Sequence, residues 1–130
     1  MASATGIVRL AKRYLAEYKG KTVLNPSRIS AKSVYDALKA GDEAAAAIVE
    51  QVSDYLGNAL AIFSCVVDPE VIVIGGGVSK AGQILIDNVK KYYQKYAFIS
   101  CKDTPIVLAE LENDAGIYGA AKLALDGQNL

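Results

Sequence analysis

The 130-residue chain contains no histidine and no tryptophan, and only two cysteines. Each shortage closes a line of chemistry. Without histidine, the commonest general base near neutral pH and the commonest metal ligand are both missing. Two cysteines alone do not complete a tetrahedral zinc site. Cys65 and Cys101 lie far apart among small or apolar neighbours. They read as two reduced, mostly buried thiols of an intracellular chain, with a single disulfide as the alternative. Excess charge is also absent, with fourteen Lys and Arg balancing fourteen Asp and Glu. With no polybasic run either, retention on nucleic acid by phosphate neutralisation is not expected. No secretory apolar core follows Met1, and no apolar run reaches the length of a membrane span. A cytoplasmic location is expected, and a membrane partner is not.

What is present suffices for a core. Apolar residues make up 52% of the chain and charged residues 22%, which fits one domain or one lobe of something larger. From Ser3 to Tyr18, apolar positions recur at spacings of three and four, a helical stripe that Gly20 ends. Asn25 and Pro26 set a turn in KTVLNPSRIS. Ser30 caps a short helix, Ala31 to Lys39, closed by Gly41. Asp42 caps the longest helical pattern, in which Ile48, Val49, Val52, Leu56, Leu60 and Phe63 trace a wide stripe. Gly57 inside it costs roughly 1 kcal/mol relative to alanine, which points to close packing against another backbone. The end of that helix, FSCVVDPE, is apolar nearly all round and reads as buried.

Pro69 stops the helix. Val71 to Ile74 are branched aliphatics with no polar alternation, as in a strand covered on both faces of a parallel sheet. Ile84, Leu85, Val89, Tyr92, Tyr93 and Tyr96 carry another helix, its tyrosines read as core and interface. Ile106 to Ala109 form a second strand, and strand, helix and strand in this order make a right-handed crossover. Asp114 caps a last helix, AGIYGAAKLAL, with Gly116 and Gly119 as packing residues. Five helices and two strands give an α/β chain whose sheet is too small to stand alone.

Between the first strand and its helix lies DPEVIVIGGGVSKAG, residues 68–82. Glycines there leave bare N–H groups beside a helix start, where a phosphate or other electronegative group can approach. The alternative is a tight turn that packs strand against helix and binds nothing. Two familiar phosphate loops are excluded. The dinucleotide fingerprint needs glycine where Lys80 stands, and a Walker loop counted from Gly77 meets Gln83 and Ile84 in place of lysine and serine or threonine.

DPEVIVIGGGVSKAG resembles the adenosine-side glycine motif of the ROK family, the sugar kinases and sugar-responsive repressors built on the actin, hexokinase and heat-shock ATPase fold. ASATGIVRLAKR is similar to the helix that follows the family's cysteine-rich zinc segment, and NDAGIYGAAKLAL resembles its closing helix. Within the family, bacterial glucokinases look nearest. The resemblance implies a helix-rich C-terminal lobe of the ribonuclease H-like ATPase fold, a small parallel sheet flanked by helices. It divides the chain into residues 1–112, the nucleotide-side lobe, and 113–130, a closing helix that packs back on the other lobe.

By the same resemblance, Gly75, Gly76, Gly77, Val78 and Ser79 bind the adenine nucleotide, as ATP with Mg2+ in the full-length enzyme. Ser79 bonds to ribose or phosphate or else caps the helix. The phosphate loop, the catalytic aspartate, the sugar-gripping segment and the zinc ligands lie upstream in the family. The chain itself therefore offers no catalytic residue and no metal site, and reaches glucose only through the missing part. A homo-oligomer is expected, because the closing helix must bury its apolar side elsewhere. A sensor lobe of a ROK-type repressor, or a structural module that binds nothing, are the competing readings.

Overall fold

The computed structural model describes residues 4–109. Two helices start where oxygen-bearing side chains can satisfy their first N–H groups. Ser30 accepts from Ser33 N at 3.1 Å while Ser33 Oγ accepts from Ser30 N at 2.9 Å, a reciprocal cap that opens α2 (Ala31–Lys39). Asp42 accepts from Ala45 N at 2.9 Å and opens α3 (Glu43–Val67). Asp42 does more than the sequence suggested. Its carboxylate also accepts from Val23 N at 2.7 Å and from Thr22 Oγ1 at 2.9 Å, so it ties the connector after α1 (Ala4–Glu17) to the start of α3. Burial works to raise the Asp42 pKa, but the hydrogen bonds from Ala45, Val23 and Thr22 together outweigh it and hold the carboxyl below its ordinary value. Gly41 closes α2 at φ +87, as a residue past a helix end commonly does.

The central element is α3, with α1, α2 and α4 (Gln83–Tyr96) packed around it. Ile7, Val34, Ile48, Val49, Leu85, Val89 and Tyr93 fill the space between them, each almost wholly buried. Fully burying an aliphatic of this size stabilises by about 1.5–3 kcal/mol, so this cluster dominates the energetics. Gly57 is where α3 and α4 touch most closely. A Cβ built on it would lie 2.6 Å from Tyr92 Cβ and 2.7 Å from Tyr93 N, which is the backbone contact the sequence pointed to. Around this seam, Glu50 accepts from Lys91 Nζ at 2.9 Å and from Tyr92 Oη, and Asp54 accepts from Tyr96 Oη at 2.5 Å. These exposed polar links add little individually; they set the register of two helices that the core already holds.

β1 (Ile72–Ile74) and β2 (Ile106–Leu108) pair in parallel with Ile72 opposite Ile106 and Ile74 opposite Leu108. Ile72 N to Pro105 O at 2.8 Å and Ala109 N to Ile74 O at 2.9 Å extend the ladder. Three expectations need correction here. The strand is not covered on both faces: Ile72 and Ile74 are half-buried, whereas Val71, Val73 (56% exposed) and Val107 stand open. The end of α3 is not buried all round, since Phe63 is 66% and Val66 81% exposed while Ser64 turns inward. Cys65 shares that open side, so only Cys101 is a buried thiol, and the two are not joined. In each case the residue type was apolar, but no described element lies over it. Asp114, Gly116, Gly119 and the closing helix lie outside the described residues.

Candidate functional site

The strand β1 delivers the chain to Gly75, and three glycine-bearing positions then behave differently. At Gly75 a Cβ would sit 3.4 Å from Ala109 Cβ, the near edge of ordinary contact with the end of β2. Gly76 has φ +81 and ψ −167, a conformation that side-chain-bearing residues rarely adopt. A Cβ at Gly76 would meet nothing within 4 Å. Backbone shape, not crowding, demands glycine there, and the space beyond it is open. Gly77 begins a short 3₁₀ turn, Gly77–Ala81, whose N-terminal side has no side-chain cap. The leading N–H groups of such a turn have no partner within it.

The turn is fixed by the protein itself. Ser79 N and Ser79 Oγ both donate to the Gly76 carbonyl, at 3.1 and 2.6 Å. Val78 and Ala81 are buried and anchor the turn from below, while Lys80 is exposed. A second glycine bend, Gly82 at φ +75, follows, and only then does α4 begin at Gln83. The sequence pattern predicts a helix start directly beside the glycines, with Ser79 as its candidate cap. The structure inserts the 3₁₀ turn between them. Ser79 is 4% exposed, and Gly82, not Ser79, occupies the cap position of α4. Of the five positions singled out, Gly75 and Gly76 face outward and Val78 and Ser79 face the core.

Chemically, this surface can receive an electronegative group through main-chain N–H donors. It carries no carboxylate, and Lys80 is the only ionisable side chain on the turn. Among the described residues, no three His, Cys, Asp or Glu side chains converge as a metal site. No described helix is long and apolar enough to cross a membrane. A cleft of about 460 Å3 between α1 and α3 shares no residue with the glycine turn.

The sequence profile of the ROK family matches residues 1–127. The chain belongs to the ROK family. It is 38% identical over 134 residues to a glucokinase of Halalkalibacterium halodurans, an alignment that covers 99% of this chain and 41% of the relative. The crystal structure of a ROK family glucokinase from Streptomyces griseus, in complex with glucose and AMPPNP, matches with a TM-score of 0.81 at 25% identity. That match covers 93% of this chain and 42% of the glucokinase. A ROK family transcriptional regulator, a homologue of the E. coli MLC protein, matches with a TM-score of 0.66 at 25% identity, over 82% of this chain and 27% of the regulator. The helix-rich α/β fold with its small parallel sheet is thus that of the ROK sugar kinases, of the actin and hexokinase type. The chain spans about two-fifths of the length of the curated relatives it matches.

Proposed function

We propose that this chain is the C-terminal, ATP-side part of a glucokinase, which transfers the γ-phosphate of ATP to the 6-hydroxyl of glucose. In this reading residues 1–112 belong to the nucleotide-side lobe, and 113–130, expected from the sequence as the closing helix, lie outside the described residues. The observation that carries the reading is Gly76: its φ of +81 holds bare backbone at the tip of β1 with open space in front of it. A phosphate or ribose can approach that backbone more closely than any side chain would permit. Gly75, Gly76 and Gly77 make the approach, Val78 fastens the turn to the core, and Ser79 holds the Gly76 carbonyl in place. In the complete kinase, ATP with Mg2+ supplies the transferable phosphoryl group. Proton removal from the sugar hydroxyl, the grip on glucose and the family's structural zinc belong to parts of the kinase that this sequence does not carry.

The resident compartment in this reading is the cytoplasm, with neither nucleic acid nor membrane as partner. The open apolar side of α3, with Ile62, Phe63, Val66 and Val67, supports the homo-oligomer expected from the sequence. The glucokinase reading is preferred over the repressor sensor lobe because the glucokinase structure matches more of the chain with the higher TM-score.

Amide shifts of the chain under titration with ATP to millimolar concentrations test the proposal. Saturable changes confined to Gly75–Ser79 are expected, together with no turnover of glucose, since the family's catalytic aspartate belongs to the upstream part of the kinase. Gly76→Ala places a side chain at positive φ, which costs about 1–3 kcal/mol, and puts a methyl group into the open space; the folded fraction of this variant is expected to bind no ATP. Absence of shifts in the parent chain, or unchanged ATP affinity in the folded variant, overturns the assignment of the turn.

A further inference from the structure

We infer that the cleft between α1 and α3 is a second binding site, for a small phosphorylated or carboxylated molecule with a planar body. Its volume of about 460 Å3 lies within the range of small-molecule pockets. The two walls are in matching register. Arg9 and Arg13, one helical turn apart on α1, line it opposite Gln51 and Tyr55, one turn apart on α3. Leu10 and Tyr14 complete its apolar and aromatic lining.

Two guanidinium groups on one face repel each other unless an anion lies between them. Among the described residues neither guanidinium group has an ion-pair or hydrogen-bond partner, whereas the lysine of the α3–α4 seam, Lys91, is paired with Glu50. Guanidinium is also the side chain best shaped to hold phosphate or carboxylate through two parallel N–H bonds. Glu17 lines the far end of the cleft, one turn beyond Arg13. Its carboxylate disfavours an anion there and directs it toward Arg9, the end where the α1 dipole is positive. Tyr55, half exposed, lines the cleft as an aromatic partner for the body of the ligand, Tyr14 is stacked on Tyr18 with ring centroids 5.5 Å apart, and the Gln51 amide can donate to the ligand's polar edge. No residue of β1, the glycine turn or α4 takes part, so the site is separate from the proposed nucleotide turn and does not depend on it.

The test uses phenyl phosphate and inorganic phosphate as separate probes, followed by amide shifts of the whole chain. Phenyl phosphate is expected to give saturable shifts at Arg9, Arg13, Gln51 and Tyr55, with millimolar affinity and no change at Gly75–Ser79. The double variant Arg9→Gln with Arg13→Gln weakens binding roughly tenfold or more. Lys12→Gln removes the same kind of charge from α1 outside the cleft and leaves binding unchanged. Tyr55→Ala weakens phenyl phosphate while sparing inorganic phosphate, a separation that holds even if the double variant fails to fold. Shifts spread evenly over basic residues, equal losses in Lys12→Gln, no saturable binding, or equal weakening of both probes by Tyr55→Ala would each overturn the inference.

Discussion

Replacing Gly57 by alanine tests the packing of α3 against α4, and the sign of the effect decides it. In an unpacked helix, alanine gains about 1 kcal/mol over glycine. Here the new Cβ would start 2.6 Å from Tyr92 Cβ, 2.7 Å from Tyr93 N and 2.9 Å from Tyr92 C. Carbon atoms prefer roughly 3.5–4.0 Å, so the shortfall is about 1 Å. Two of the three obstacles are backbone atoms of α4, and no rotamer change removes them. The helices must therefore separate along their seam, loosening contacts of Tyr93, Leu85 and Val89, which are fully buried. Overpacking of this kind costs about 1–3 kcal/mol and occasionally more. A shortfall of about 1 Å against backbone atoms puts the cost in the upper part of that range, about 2–3 kcal/mol, and subtraction of the propensity gain leaves a net destabilisation of about 1–2 kcal/mol. With a urea m-value of about 1–3 kcal/mol/M, the midpoint falls by somewhat less than to somewhat more than 1 M, with m unchanged. A midpoint that stays put or rises would mean that the two backbones are not in contact at this position.

Two further substitutions probe the links between elements. Asp42→Ala removes the α3 cap and the tie to Val23 and Thr22 and is expected to cost about 1–2 kcal/mol at neutral pH. Because the folded pKa of Asp42 is lowered, its contribution is complete above the unfolded value of about 3.9 and disappears as pH falls through the folded value. The stability gap between parent and variant should shrink in acid; a gap independent of pH would refute the hydrogen bonds assigned to the carboxylate. Tyr93→Phe leaves the Cys101 carbonyl, 2.6 Å from the hydroxyl, and the Ser64 hydroxyl, 3.0 Å from it, without that partner in the core. A loss of about 1–3 kcal/mol is expected in denaturant unfolding, and a neutral result would show that water reaches this site.

Local signals were legible where one or two residues determine the outcome. Ser30, Asp42, Gly41 and the Asn25–Pro26 turn each announce an end or a bend through chemistry confined to a few atoms, and each stands where expected. Gly57 was legible as well, because a costly residue inside a strong helix needs a reason. The errors share one cause. Apolar character at Phe63, Val66, Val71 and Val73 tells what a residue would gain from cover, whereas exposure depends on which other elements are there to provide it. Among the described residues, a sheet of two strands with α4 as the crossover between them leaves Val71, Val73 and Val107 open on its outer side, and no pattern within those strands carries that information.

The glycine run illustrates the same division within a single motif. GGG reads as one device, yet its members answer to different constraints. At Gly75 an added Cβ would only reach ordinary contact with Ala109, whereas Gly76 is held to glycine by its own backbone angles. Neither condition is imposed by a ligand. Ser79 grips the Gly76 carbonyl through both its N–H and its hydroxyl, and Val78 and Ala81 seat the turn on the core. The turn is consequently fixed before anything binds, which would remove an ordering cost from association in the proposed site. In the proposed nucleotide site, a Ser79 committed to the Gly76 carbonyl in this way would act by keeping the main chain still.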